Sequence, residues 1–254
     1  MHEEPSYSTT TFSSKGILSQ CERALTAAKN GALSLGIRST NGVVLASLKK
    51  TPSILVDKEQ VQKVFKVCDT IIATFSGLSG DFRTALEVAR EIADDYFKVY
   101  GTYPYVDTFM KEFSKVIQEK TQKGGLRPIG CICLFAGHAL IKKDIHPDEE
   151  GRPVIVETEN YLLQPLLYQI DPSGSIKNSF SFGVGKFYKE CSQFLLKRCT
   201  AEIEIHDAVM TAALALKEFT ETAISEEDMS ISIITADSIS SYGKDEIKEV
   251  LRSI

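Results

Sequence analysis

Apolar residues recur along this chain in two rhythms, and their alternation lays out its elements. From Leu18 to Lys29, Cys21, Ala24, Leu25 and Ala28 fall on one helical face, and Asn30-Gly31 reads as the helix stop. "ALSLGIR" and "VVLASL" then read as two strands, joined across "STNG", whose Asn41-Gly42 pair is a strong hairpin-turn signal. "VQKVFKV" and "TIIATFSG" predict a second strand pair, separated by Cys68-Asp69. Two helices follow. Phe82, Ala85, Leu86, Ala89, Ile92, Ala93, Tyr96 and Phe97 mark the first, and Val106, Phe109, Met110, Phe113, Val116 and Ile117 the second.

The stretch "TQKGGLRPIGCICLF" changes character twice. Gly124-Gly125 predicts a helix stop with positive φ, and Pro128 fixes the angle into a strand that cannot continue the helix. That strand, "IGCICLFAG", is apolar throughout, which predicts burial on both faces. Residues 141–160 read as a polar surface loop, in which His146, Asp148, Glu149 and Glu150 form no converging metal set. "YLLQPLLYQI" is a further strand, and "DPSG" a tight turn with Pro172 second and Gly174 fourth. Helical patterns return in "KFYKECSQFLLKR" and "HDAVMTAALALKEFTE". A strand, "MSISIITA", precedes a last helix with Ile247, Val250, Leu251 and Ile254 on one stripe. Strands cluster and helices come in pairs. That order predicts an α+β fold in layers, with helix pairs on antiparallel sheets, rather than a doubly wound βαβ fold.

A chain of 254 residues with 43% hydrophobic and 25% charged residues can bury a sizeable core without disulfides or metals. The net charge of −5 and the scattered basic residues exclude a nucleic-acid face, so no nucleic-acid partner is expected. Six cysteines contain no C-x-x-C pair; Cys131 and Cys133 share one strand face and read as buried free thiols in an intracellular compartment. "MHEEPSYSTTTF" has neither a basic n-region nor an apolar h-region, and no run approaches membrane-spanning length, so neither a signal peptide nor a membrane partner is expected. Residues 1–16, weakly patterned, read as an arm.

No motif selects a catalytic site. "FGVGKFY" has Phe180 where a phosphate loop needs its first glycine, and reads as a turn leading into a helix. "SGLSG" is not a nucleophile elbow. The four histidines have no metal-ligand spacing, and no cofactor is implied.

Five stretches taken together carry a resemblance: "TTFSSKGILSQCERAL", "NGVVLASLKKTPSIL", "SGLSGDFR", "TQKGGLRPIG" and "DPSG". In this order, across most of the chain, they resemble α-type subunits of the proteasome family, most nearly the eukaryotic α2-type. The resemblance implies the four-layer αββα sandwich of N-terminal-nucleophile hydrolases. It implies one domain over residues 1–254, with 1–16 near a gate and 18–30 as an N-terminal helix. Catalytic relatives are cleaved before a threonine that opens the first strand, and its new amine and hydroxyl then act together. Here that position is Ala32, the catalytic carboxylate position is Leu48, and Lys63 falls near the catalytic lysine. The chain is therefore expected to be catalytically silent.

The implied role is ring assembly, gating of the substrate channel and docking of regulatory particles, in ubiquitin-dependent and ubiquitin-independent protein degradation in cytoplasm and nucleus. The implied partners are neighbouring α subunits, β-ring subunits, C-terminal tails of regulatory particles and assembly chaperones. Lys63 aligns with the lysine that receives a tail carboxylate, and Gly16, Leu18, Glu22, Gly31 and Leu78 match positions around that pocket; the alternative for Lys63 is a solvated strand lysine. Arg127, Pro128 and Gly130 would form a stiff loop offered to an adjacent subunit; the alternative is an arginine that satisfies carbonyls of its own turn. The gate positions are Tyr7, Ser8, Ser14 and Arg23. Ser14 stands where the family has proline, Arg23 where it has tyrosine, and Tyr7 matches the early tyrosine only with a shift. Two rival readings predict different molecules: an active hydrolase processed at an unusual site, and a free-standing scaffold of the same fold.

Overall fold

The computed structural model of the chain describes residues 8, 10–51, 53, 55–58, 60–142, 161–221 and 224–254. The first helix, α1 (Ser19–Lys29), leads into the strands β1 (Ser34–Arg38), β2 (Gly42–Leu48), β3 (Val64–Cys68) and β4 (Ile71–Gly77). The helices α2 (Ser79–Tyr100) and α3 (Val106–Glu119) follow, then β5 (Cys131–Lys142), β6 (Tyr161–Ile170), β7 (Ile176–Asn178) and β8 (Ser181–Val184). The chain continues through α4 (Tyr188–Arg198), α5 (Ile205–Glu218), β9 (Met229–Thr235), β10 (Ile239–Ser241) and α6 (Lys244–Ser253).

The strands form two five-stranded sheets, ordered β10-β9-β2-β1-β8 and β3-β4-β5-β6-β7, with antiparallel neighbours throughout. Three apolar layers hold them together. Phe82, Ala85, Ala89, Phe109, Phe113 and Ile117 of α2 and α3 pack on Ala73, Phe75, Cys133 and Phe135 of the second sheet. Cys191, Leu195, Val209, Ala212 and Leu216 of α4 and α5 pack on Leu35, Ile37, Val44 and Ile231 of the first. Val43, Leu45, Ile72, Leu134, Ala136 and Leu167 fill the space between the sheets. The result is the four-layer αββα sandwich that the resemblance implies.

β5 explains its apolar run: residues from Cys131 to Phe135 alternate between the α2/α3 layer and the inter-sheet layer, so both faces are buried. Cys131 and Cys133 share one face, their sulfurs 3.7 Å apart, and both are fully buried free thiols. Pro165 sits in β6 beyond the end of β7, which pairs only with Tyr168 to Ile170, so its missing N–H breaks no ladder there. The "DPSG" turn forms as expected: the Gly174 N–H donates to the Asp171 carbonyl at 2.9 Å, with Gly174 at φ 83.

Several boundaries depart from the sequence reading. The hairpin between β1 and β2 exists, but Asn41 and Gly42 do not take positive φ. The Ser39 hydroxyl shapes the turn, donating to the Gly42 carbonyl at 3.0 Å. Gly42 is needed for space instead, because a Cβ there would lie 2.3 Å from the Ile234 carbonyl oxygen on β9. α3 ends at Glu119, before Gly124-Gly125, in tight turns that carry Thr121 N–H to the Gln118 carbonyl at 2.9 Å. Gly125 does take positive φ, at 83, but beyond the helix. β3 begins at Val64, and α4 at Tyr188, after a turn in which Gly185 and Phe187 adopt positive φ. Ile141 and Lys142, expected in a loop, extend β5 opposite Leu162 and Tyr161. Residues 143–160, with His146, Asp148, Glu149 and Glu150, lie outside the described residues.

Candidate functional site: the cleft over Ala32 and the surface around Lys63

Between α1 and β1 the chain passes through Gly31 and Ala32. The Lys186 N–H donates to the Gly31 carbonyl at 2.9 Å, and the Leu48 N–H to the Leu33 carbonyl at 2.9 Å. These bonds draw the end of β2 and the β8–α4 turn around Ala32. A cleft of about 360 Å³ results, with Ala32, Leu48, Lys50, Phe187 and Phe219 among its lining. Ala32 brings a methyl group, and its nitrogen is an amide in a continuous chain. Leu48 brings no carboxylate. Lys63 does not line this cleft.

Lys63 lies just ahead of β3. Its carbonyl accepts the Thr74 hydroxyl at 2.8 Å, which fixes its backbone against β4. Its ammonium stands 3.9 Å from the centre of the Phe75 ring, and that ring stacks on Phe82 at 4.0 Å. Only 9% of Lys63 is exposed, so it is not a solvated strand lysine. Burial pulls its pKa down to about 8. Among the described residues no carboxylate pairs with it. A desolvated ammonium of this kind binds a carboxylate strongly.

The other residues expected around Lys63 fall in two groups. Gly31 and Leu78 lie with Lys63 at the C-terminal end of β4. The Ser76 hydroxyl donates to the Ala28 carbonyl at 3.0 Å, and a Cβ on Gly31 would lie 2.1 Å from the Gly77 nitrogen. Leu78 follows β4, 48% exposed, with its N–H on the Gly130 carbonyl at 3.0 Å. Gly16, Leu18 and Glu22 lie at the other end of α1. There they line a second cleft of about 360 Å³ with Phe12 and the Asp171–Ser173 turn. The 11 residues of α1 separate the groups by roughly 16 Å at 1.5 Å per residue. The six residues therefore do not close one cavity within a single chain.

Of the gate positions, Tyr7 lies outside the described residues. The Ser8 hydroxyl accepts the Thr11 N–H at 3.3 Å. Ser14 is exposed in the turn before Gly16, and Arg23 is exposed on α1.

The Arg127-Pro128-Gly130 segment has a partner that its sequence did not reveal. Arg127 donates from Nη1 to Asp81 Oδ2 at 2.5 Å and from Nη2 to Asp81 Oδ1 at 2.8 Å. The Gly130 N–H donates to the same Oδ2 at 2.7 Å. One further bond, from Nη1 to the Pro128 carbonyl at 3.1 Å, stays within the turn. The Arg127 guanidinium holds the Asp81 carboxyl below its ordinary pKa, helped by the Gly130 N–H. The available signal was an acidic residue in the first turn of a helix, at Asp81 in "SGDFR".

The family model described as "Proteasome subunit" matches residues 28–145 and 152–234 of this chain. Proteasome subunit alpha type-2 of Oryza sativa subsp. japonica is 40% identical over 91% of this chain and 89% of its own length. Proteasome subunit alpha type-2-A of Arabidopsis thaliana is 40% identical over 92% of this chain and 90% of its own. Proteasome subunit alpha type-2 of Saccharomyces cerevisiae is 37% identical over 92% and 86%.

Proposed function

This chain belongs to the proteasome subunit family, and we propose how it serves there as a noncatalytic α-ring subunit of the 20S core particle. One observation supports the silent reading: Ala32, the residue that the resemblance sets at the nucleophile position, carries only a methyl group and sits in mid-chain. An N-terminal nucleophile needs a hydroxyl or thiol to attack and a free amine to take its proton. Here a methyl group and an amide stand in those places, and Leu48 replaces the carboxylate. The mature subunit keeps residues 1–254 as one domain, with 1–16 as an arm toward the gate and 18–30 as the ring-facing helix.

The division of the pocket residues supports a docking site completed by a neighbouring subunit. Lys63, with Gly31 and Leu78, offers a desolvated ammonium to the C-terminal carboxylate of a regulatory particle's tail. Gly16, Leu18 and Glu22, at the far end of α1, serve the face toward the other neighbour. Arg127, braced by Asp81, keeps its side chain 60% exposed, which leaves an outer edge for an adjacent subunit. Ser14 and Arg23 leave the open-gate cluster incomplete, so this subunit contributes to gating less than its neighbours do. No described helix is long and apolar enough to cross a membrane. We place the subunit in cytoplasm and nucleus, with other α subunits, β subunits and assembly chaperones as partners.

Gentle purification of the tagged chain, sized natively and analysed by intact mass, tests this reading. A very large particle holding the uncut chain beside related α and β chains is expected. A chain trimmed to a new N-terminal Thr, Ser or Cys would return it to the hydrolases. A monomer without β partners would make it a free-standing scaffold.

A further inference from the structure

Lys63 is a buried cation without a counter-charge. Among the described residues its ammonium meets no carboxylate and donates no hydrogen bond, whereas a buried charge is ordinarily paired. Of the described side chains, only His138 has a fully buried nitrogen or oxygen with no partner, so the unpaired Nζ of Lys63 still touches solvent. What the ammonium does meet is the face of the Phe75 ring, 3.9 Å from its centre, well inside the reach of a cation–π contact.

That ring is held like a core residue. Phe75 is buried in β4, opposite Cys133 of β5. Phe82 of α2 lies flat against it, with 4.0 Å between ring centres and 10° between planes. Phe65 of β3 leans on both, at 6.5 and 5.3 Å. The Thr74 hydroxyl ties the Lys63 backbone to the same strand, so both ends of the contact are fixed. Charges on the adjoining elements are engaged elsewhere or exposed. β4 has no titratable group, Lys66 of β3 pairs with Asp69, Asp81 of α2 pairs with Arg127, and Arg83, Glu87 and Arg90 of α2 are exposed. Burial is the cause of the lowered Lys63 pKa.

We propose that Phe75, backed by Phe82, is a positioning residue for tail docking: its ring holds the Lys63 ammonium charged and in place, and the two stay in contact when a tail carboxylate arrives from the solvent side. The inference rests on the tail-docking reading of Lys63. An ion-paired lysine would have to release one carboxylate before it took another. A ring holds the cation while its N–H donors stay free. The ring also favours the charged form, so a weaker ring lets Lys63 lose its proton at lower pH. A side chain that need not touch the tail then sets the pH range in which the subunit accepts one.

The test replaces Phe75 by trifluorophenylalanine, which keeps the ring but withdraws negative charge from its face. The substituted chain is built into the full particle. A peptide copied from a regulatory-particle C-terminal tail, with a diazirine residue, is crosslinked to it by light over a range of concentrations. At pH 8 the concentration for half-maximal crosslinking to this chain should rise about fivefold, as for a downward shift of about one pH unit in a Lys63 titration centred at about 8. At pH 6 it should change by less than about twofold, because Lys63 is charged with either ring. Tighter binding at pH 6 means that the ammonium must leave the ring to meet the tail, and overturns the proposal. An equal loss at both pH values makes Phe75 a packing residue, and no change at either makes it a bystander; each overturns the proposal. Lys63→Met with Phe75 intact reports on the underlying reading. Crosslinking unchanged in that variant removes Lys63 from tail docking, and the role of Phe75 with it. Crosslinking that needs Lys63 but ignores the fluorines overturns the role of Phe75 alone.

Discussion

Arg127 closes on Asp81 with both guanidinium nitrogens, at 2.5 and 2.8 Å, across 46 residues of sequence. The same carboxylate receives the Gly130 N–H at 2.7 Å. Three donors on one carboxylate fasten the first turn of α2 to the mouth of β5. That is why an arginine and a proline precede a buried strand. The proline sets the direction of the chain, and the arginine anchors the turn to the helix start.

Asp81→Ala should therefore destabilise the chain by about 1–2 kcal/mol, measured by chemical denaturation. The 60% exposure of the Arg127 side chain keeps the expected loss below that of a buried pair. The carboxyl has its pKa lowered in the fold. Its contribution is then fully present above the unfolded value, about 4, and is lost as pH falls through the folded value. The difference between the unaltered chain and Asp81→Ala should shrink below about pH 4; a difference constant across that range would assign the loss to packing instead.

Lys63 gives the opposite slope. Its folded pKa of about 8 lies below the unfolded value of about 10.4, so between them the unfolded chain binds more protons. Stability should rise with pH through that window, and Lys63→Met should flatten the rise and stabilise the chain at pH 7 by about 1–3 kcal/mol. Tail binding runs the other way, because only the ammonium attracts a carboxylate. Affinity for a regulatory-particle tail peptide should fall as pH passes 8 and should drop at least about tenfold in Lys63→Met at pH 7. Tail affinity unchanged in Lys63→Met would remove Lys63 from the pocket.

Periodicity made the layers legible because each helix and strand repeats its burial every few residues. The stripe from Phe82 to Ala93 and the run from Cys131 to Phe135 state their own environment. Contacts between distant segments were not legible. Asp81 and Arg127 each look like an ordinary surface charge until folding brings them together. Gly31 and Gly42 were read as conformational signals, yet neither takes positive φ; what their positions demand is the absence of a Cβ. The mapping of Ala32 and Leu48 came from resemblance, and the cleft they share follows from pairing β1 with β2. The six tail-pocket positions aligned as a set, but one chain spreads them over both ends of α1.

Gly31→Ala tests the seat of α1 on β4. The added Cβ would lie 2.1 Å from the Gly77 nitrogen and 2.4 Å from the Ser76 hydroxyl oxygen. Backbone must move, because the nearer contact, the Gly77 nitrogen, is itself backbone. A loss of about 3 kcal/mol or more in thermal or chemical denaturation is expected, at the upper end of overpacking costs. Gly80→Ala is the control, since nothing stands within 4 Å of its added Cβ, and it should be neutral or slightly stabilising. Equal effects of the two would show that α1 yields without penalty.

Ala32→Thr tests the proposal that the methyl group at position 32 keeps the chain catalytically silent, and asks whether it does so alone. The new hydroxyl would stand beside the Gly31 carbonyl, which already accepts the Lys186 N–H at 2.9 Å and is polarised by it. Cleavage before residue 32 also needs a base for the hydroxyl proton. Leu48 cannot serve, and Lys63 faces Phe75 outside the cleft. The peptide bond that follows Gly31 should therefore stay intact in this variant, no free amine should form, and no activity should follow. Intact mass should show the full chain, and fluorogenic peptides should not be hydrolysed by the isolated variant above the unaltered chain. A new N-terminus at position 32 with measurable turnover would mean that one methyl-to-hydroxyethyl change restores the site, and that the carboxylate replaced by Leu48 was dispensable.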